Sequence, residues 1–265
     1  MMQVFVESVG LLGPGLTGWL ASRSALIGAA PYVPADVLIP APDLLPAAER
    51  RRTGNPVRLA LSAGLEALTR TARRRDSLAS VFTSSGGDGQ VIHEICETLA
   101  STQRQVSPTR FHNSVHNAAA GYWSIALQSR APSTSLCCFD WSFAAGLLEA
   151  AAQCVTTGQA VLLVSYDLPY MEPLRSVRPV EGVLGAALLL APDAGPDAFA
   201  RMEMRLEPGV PAPSRMQDPR LEGLRAGNPT GRALPCLQAL AGPSKVKVVL
   251  EYLRGSALHV EVSPC

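Results

Sequence analysis

Two adjacent cysteines, Cys137 and Cys138, stand in SLCCFDWSFAAGLLEA (Ser135 to Ala150) and are the residues best suited to covalent chemistry. A thiol at a helix start loses its proton more readily, because the helix dipole favours the thiolate. With His112 or His116 as base, Cys138 would make the chain a small cysteine-dependent acyltransferase or thioesterase. Both cysteines read most simply as small buried apolar residues, since free cysteine is among the most buried types. His112 and His116, four residues apart, could share a metal on one helix face, but no third ligand accompanies them, and no metal or cofactor is expected. Asp140 suits an N-cap for a helix starting near Ser142, worth about 1 kcal/mol. Trp141 suits simple packing or a plug. Two basic triplets, Arg50-Arg51-Arg52 and Arg73-Arg74-Arg75, read as solvated faces or as a patch that steers an acidic partner. Gly86-Gly87 is not a phosphate cradle, because no Lys-Ser/Thr follows it.

The cysteine pair sits where a strand gives way to a helix, in which Phe143, Leu147 and Ala150 share a face beside Leu148. Upstream, Val4, Val6 and Val9 alternate as in an opening strand. Residues 27–48 are rich in Ala and Pro and read as an irregular connection. From Asn55 a helical pattern runs through Leu59, Ala63, Leu65, Ala67 and Leu68. Leu78 to Thr83 reads as a short buried strand closing on the glycine pair. The next helix starts near Asp88 and is expected to turn Val91, Ile92, Ile95 and Leu99 inward. Two apolar runs, in GQAVLLVSYD and GVLGAALLLAP, suit strands covered on both faces. After Gly195 the chain reads as irregular up to about Pro243, and then ends in a pair of strands, KVKVVLEYL and ALHVEVSP. Alternating strands and helices predict an α/β fold, and no domain boundary is marked within 1–265.

The 265 residues can bury a large core, and 47% of them are hydrophobic against 17% charged. A net charge of +1 gives no general attraction to nucleic acid or to anionic membrane. The low charge also suggests that some apolar surface is covered by a partner. The N-terminal stretch lacks a basic region and is broken by Glu7, Gly10, Gly13 and Pro14, so neither a signal peptide nor a membrane span is expected. The expected location is the cytoplasm, where six cysteines without a CxxC pair read as free thiols.

Four segments in register resemble the N-terminal half of a β-ketoacyl synthase, in the thiolase-like superfamily. They are VFTSSGGDG, VSPTRFHNSVHNAAAG, APSTSL and AAAQCVTTGQAVLLVSYD. The likeness covers residues 75–192 well and the N-terminal segment loosely. It implies a thiolase-like half, with a layered mixed sheet and a buried central helix, plus the C-terminal β-hairpin.

The departures from the family pattern bear on activity. Counting on from Pro132 places the nucleophile position at Asp140, and counting back from Gly158 places it at Trp141. Neither count lands on a cysteine. The family's two histidine motifs, His-Gly-Thr-Gly-Thr and Gly-Phe-Gly-Gly, do not occur, and His259 in the final hairpin cannot replace them. Condensation needs an activated thiolate, oxyanion donors and imidazoles. No catalytic residue is therefore expected.

The chain is similar to a chain-length factor of type II polyketide systems, in the short form found with aryl polyene and xanthomonadin clusters. That resemblance implies a heterodimer with an active ketosynthase and docking of an acyl carrier protein bearing the growing acyl or polyene chain. An arginine triplet could help to steer this acidic carrier. The resemblance also implies that Asp88, Val91 and Ile95 line the tunnel, where a bulkier residue would cost about 1–3 kcal/mol of overpacking and stop the chain sooner. Phe111, His112, His116 and Asn117 fall near the family's interface, with the two histidines hydrogen-bonding across the seam. The alternatives are the cysteine-dependent enzyme and a scaffold that supports the ketosynthase without shaping its tunnel.

Overall fold

The computed structural model describes residues 1–265. The chain opens with β1 (Met2–Gly13), the short β2 (Leu16–Thr17) and α1 (Trp19–Leu26). A long connection then leads to α2 (Ala47–Arg52) and α3 (Asn55–Ala67). Next come β3 (Ala79–Thr83), α4 (Gly89–Ala100), α5 (Pro108–Asn113) and α6 (Ala118–Leu127). The middle of the chain forms β4 (Ser133–Leu136), α7 (Ser142–Thr157), β5 (Val161–Asp167), α8 (Leu174–Val177) and β6 (Leu184–Ala191). It finishes with β7 (Ala200–Pro208), α9 (Pro219–Gly227), α10 (Leu234–Ala241), β8 (Val246–Tyr252) and β9 (Ser256–Pro264).

All nine strands join one mixed sheet in the order β4-β3-β5-β6-β1-β7-β9-β8, with β2 paired to β1. β4, β3 and β5 are parallel, and the remaining neighbours are antiparallel. Every residue of β5 and β6 is buried, as their unbroken apolar sequences require of strands covered on both sides. Leu162 and Val164 face α3 and α6, whereas Val161 and Leu163 face α7. α3 lies close to β1 because Gly10 has no side chain; a Cβ there would sit 1.9 Å from the carbonyl oxygen of Ala63.

In β1 the register slips between Val6 and Ser8, leaving Glu7 as the extra residue of a bulge. The slip changes the parity, so Val9 and Leu11 continue on the same core face as Val4 and Val6. α7 packs on β1, β3 and β5, and the far strand β8 also reaches it. Since β8 lies three strands beyond β1, the sheet must curl around this helix. The buried central helix expected from the sequence is α7.

Two expectations are corrected. Residues 195–243 are not irregular, for they contain β7, α9 and α10. Ala200, Met202 and Met204 of β7 alternate into the core, and Pro219 and Pro235 stand in the first turns of α9 and α10, where proline starts a helix rather than breaking it. The terminal hairpin accordingly extends the main sheet through β7. In α4, by contrast, no residue is buried: Ile92 and Leu99 are 41% and 49% exposed, and Val91 and Ile95 are half-buried. Its apolar stripe is real, but this chain supplies nothing to cover it.

Candidate functional site

The turn between β4 and α7 is built by short-range bonds. The Cys138 N–H donates to Ser142 Oγ at 3.0 Å, and that hydroxyl donates to the Phe139 carbonyl at 2.7 Å. The Trp141 N–H closes onto the Cys138 carbonyl at 3.0 Å, making Phe139–Trp141 a single tight turn. Phe139 occupies its apex with φ of +54°, a left-handed conformation that costs a bulky residue energy and recurs where a strand-to-helix turn presents a reactive side chain. The apex residue here is a phenyl ring.

Arg178 holds that ring in place. Its guanidinium lies 3.4 Å from the Phe139 centroid and forms an ion pair with Asp140 Oδ1 at 2.9 Å. Asp140 is therefore not the expected N-cap, because its carboxylate turns to Arg178 and Ser142 secures the turn instead. Trp141 is half-buried and borders a cavity of about 290 Å³ together with Glu251, Leu253 and Arg254.

The cysteines depart from the buried reading. Cys137 is exposed, and its thiol donates to the Ser85 carbonyl at 3.2 Å. Cys138 is half-buried, and burial together with the neighbouring Cys137 pushes its thiol above the ordinary range, the opposite of activation. Neither histidine serves it. His112 packs edge-on against Tyr122 at 6.1 Å, and His116 Nε2 is 3.0 Å from the Ser84 carbonyl. One ring nitrogen of His116 is thus engaged inside the chain. His259 pairs with Glu207 at 3.2 Å in the β7/β9 ladder.

Beneath the glycine pair lies a buried polar knot that the sequence did not reveal. Asp167, at the end of β5, accepts from the Ser85 N–H (2.8 Å), Ser85 Oγ (2.7 Å), Ser84 Oγ (3.3 Å) and Thr230 Oγ1 (2.9 Å). Burial raises its proton affinity, and the four donors offset only part of that. Tyr170 lies across Gly86 and Gly89 so closely that a Cβ on either would clash with its ring or hydroxyl. Asp88 caps α4 by accepting from the Val91 N–H at 3.0 Å, and it too is pushed up by burial.

Phe111 and His112 are exposed and Asn117 heads α6; with Val115 and Ile125 they line an open hollow of about 430 Å³. β4 forms the adjoining edge of the sheet. The basic triplets are largely neutralised within the chain. Arg50 pairs with Asp43, Arg52 with Glu49, Arg73 with Glu7 and Arg74 with Asp76, leaving Arg51 and Arg75.

A mixed sheet curled round one buried helix, whose tip faces a glycine-rich turn, defines the thiolase-like class. The family model for the N-terminal domain of β-ketoacyl synthases matches residues 26–241, and the chain belongs to that family. Among solved structures it is similar to a chain of the ketosynthase ApeO in complex with its chain length factor ApeC from Xenorhabdus doucetiae. The TM-score is 0.74 and the identity 22%, over 98% of this chain and 99% of that one. The ishigamide ketosynthase/chain length factor gives a TM-score of 0.74 at 13% identity, over 100% of this chain and 99% of that one. AntDE:AntF, a type II polyketide acyl carrier protein in complex with its ketosynthase bound to the hexaketide, gives 0.76 at 12% identity, covering 100% of both chains. At these identities the likeness establishes the thiolase-like ketosynthase fold. No curated protein matches the chain. No helix is long and apolar enough to cross a membrane.

Proposed function

We propose that this chain is a noncatalytic chain-length factor, paired with an active ketosynthase in a type II polyketide system of the aryl polyene kind. The observation that carries the reading is the helix tip. The apex residue is Phe139, clamped by Arg178 and Asp140, while burial pushes the neighbouring Cys138 thiol up, away from activation. Such a tip cannot hold an acyl thioester. The uncovered apolar face of α4–α6 beside the β4 edge, with Phe111 69% exposed, supports pairing with a second subunit. End-to-end likeness to chains from ketosynthase/chain length factor complexes supports the same role. On this reading α4 lies at the seam, where Asp88 fixes its start and Val91 and Ile95 border the partner's acyl tunnel. An acyl carrier protein delivers the chain to the complex, and the pair works in the cytoplasm without a cofactor of its own.

The test is co-expression with the cognate ketosynthase, followed by product analysis. We expect a stable heterodimer that a Cys137→Ala/Cys138→Ala double variant leaves fully active. Ile95→Trp should shorten the polyene without dissolving the pair. Acylation of a cysteine in the isolated chain with carbon–carbon bond formation would refute the noncatalytic role. An unchanged product length in an intact Ile95→Trp heterodimer would reduce the chain to a scaffold.

A further inference from the structure

We infer that the cleft beside the β1 bulge binds a small monocarboxylate with an apolar body. A cavity of about 400 Å³ opens there, within the range of small-molecule sites. Segments far apart in sequence close it: β1 at Glu7 to Val9, α1, the end of α3, the end of α10, and the outer ends of β7 and β9. Trp19 and Phe199, with ring centroids 6.5 Å apart, join Leu240 and Val262 in making one wall apolar.

The charge of the occupant follows from which polar groups remain free. Both oxygens of Glu7 accept from Arg73, each at 2.6 Å. Glu66 Oε2 accepts from the Leu11 N–H at 2.7 Å, and its Oε1 from the Trp19 N–H at 2.5 Å. The helix-end carbonyls are also engaged, that of Ala67 by Ser8 Oγ and that of Ala241 by Arg23. Each of these acceptors already takes a hydrogen bond from the chain itself, and Glu66, which has no cation beside it, has both oxygens on backbone N–H groups. The free capacity belongs to donors: Arg23 uses one N–H on Ala241, at 3.0 Å, and Arg70 has no hydrogen-bond or ion-pair partner in the chain. An occupant must therefore carry an anion to Arg70 and Arg23 and lay an apolar body on Trp19 and Phe199. A monocarboxylic acid meets both demands, whereas inorganic phosphate would leave the apolar wall wet.

The cleft is distinct from the helix tip. Val6 is level with Leu190 and, through it, with Val161 at the start of β5, whereas the tip lies beside Asp167 at its end. Six residues of strand separate the two levels, about 20 Å. The inference holds whether or not the chain pairs with a ketosynthase.

The experiment is a calorimetric titration of the full chain with octanoate, with tryptophan fluorescence read in parallel. We expect one site per chain, binding at least tenfold weaker in Arg70→Glu and for uncharged 1-octanol, and unchanged in Arg51→Glu. Arg70 is exposed and without a partner, so its reversal leaves the fold intact, as the melting temperature will verify. Equal affinity in Arg70→Glu, more than one octanoate per chain, or phosphate binding as tightly as octanoate would each overturn the assignment.

Discussion

Removing the carboxylate of Asp167 should destabilise the fold in a way that depends on pH with a definite sign. Asp167 is 3% exposed and accepts four hydrogen bonds, three of them from hydroxyls that can turn elsewhere. Thr230 can donate instead to Ser165 Oγ at 2.8 Å, and Ser85 Oγ to the Tyr170 hydroxyl at 3.3 Å. The Ser85 N–H cannot turn, and an orphaned buried donor costs about 1–3 kcal/mol. With the void left behind, Asp167→Ala should lose about 3 kcal/mol at pH 5, lowering the melting temperature by roughly 5 °C for a chain of this size. The pH dependence is the sharper test. Burial raises the proton affinity of Asp167, so the folded state keeps a proton that the unfolded chain has lost. The group's contribution is complete below about pH 4 and is lost as pH rises through its raised value. Asp167→Asn cannot ionise and lacks this dependence. Urea unfolding between pH 4.5 and 8 should show wild type losing stability relative to Asp167→Asn as pH increases. A gain for wild type over that range would mean that the four donors outweigh burial, and the reasoning would fail.

Two further substitutions test the packing. Gly146→Ala would place a Cβ 2.8 Å from Thr83 Cγ2 and 2.9 Å from Leu163 Cδ1, lifting α7 off the sheet. Urea unfolding should show a loss of about 1–3 kcal/mol from overpacking, although alanine is the better helix former; a stabilised variant would contradict the close approach. Arg73→Ala should cost about 3 kcal/mol by leaving Glu7, whose side chain is 3% exposed, without its cation. Adding Glu7→Gln should restore part of that loss, and a double variant no more stable than Arg73→Ala would show that the charge was not the cause.

Much of the fold was legible because the apolar runs of β5 and β6 and the periodicity of α3 and α7 admit few other solutions. β7 escaped notice because Met, Glu and Arg favour helices; the inward alternation of Ala200, Met202 and Met204 was a fainter strand signal. α9 and α10 have no clear start signal in the sequence, because a proline at a helix start, such as Pro219 or Pro235, looks the same as one in a loop. For α4, the stripe of Ile92, Ile95 and Leu99 declares an amphipathic helix but not whose surface covers it. Cys137 was misjudged by residue type, since the turn that brings it to the surface depends on where β4 ends. Family spacing led to Asp140 or Trp141, whereas the positive φ at Phe139 and the reach of Arg178 across thirty-eight positions have no local signature.

The central position of β1 also governs how the chain is made. This strand is translated before the rest of the sheet, yet the two long strands that flank it begin only at Leu184 and Ala200. Until those strands are made, β2, α1 and α3 can pack on it, but most of both backbone edges stand open to any strand nearby. Assembly of the sheet must wait for distant contacts, and such non-local pairing slows folding.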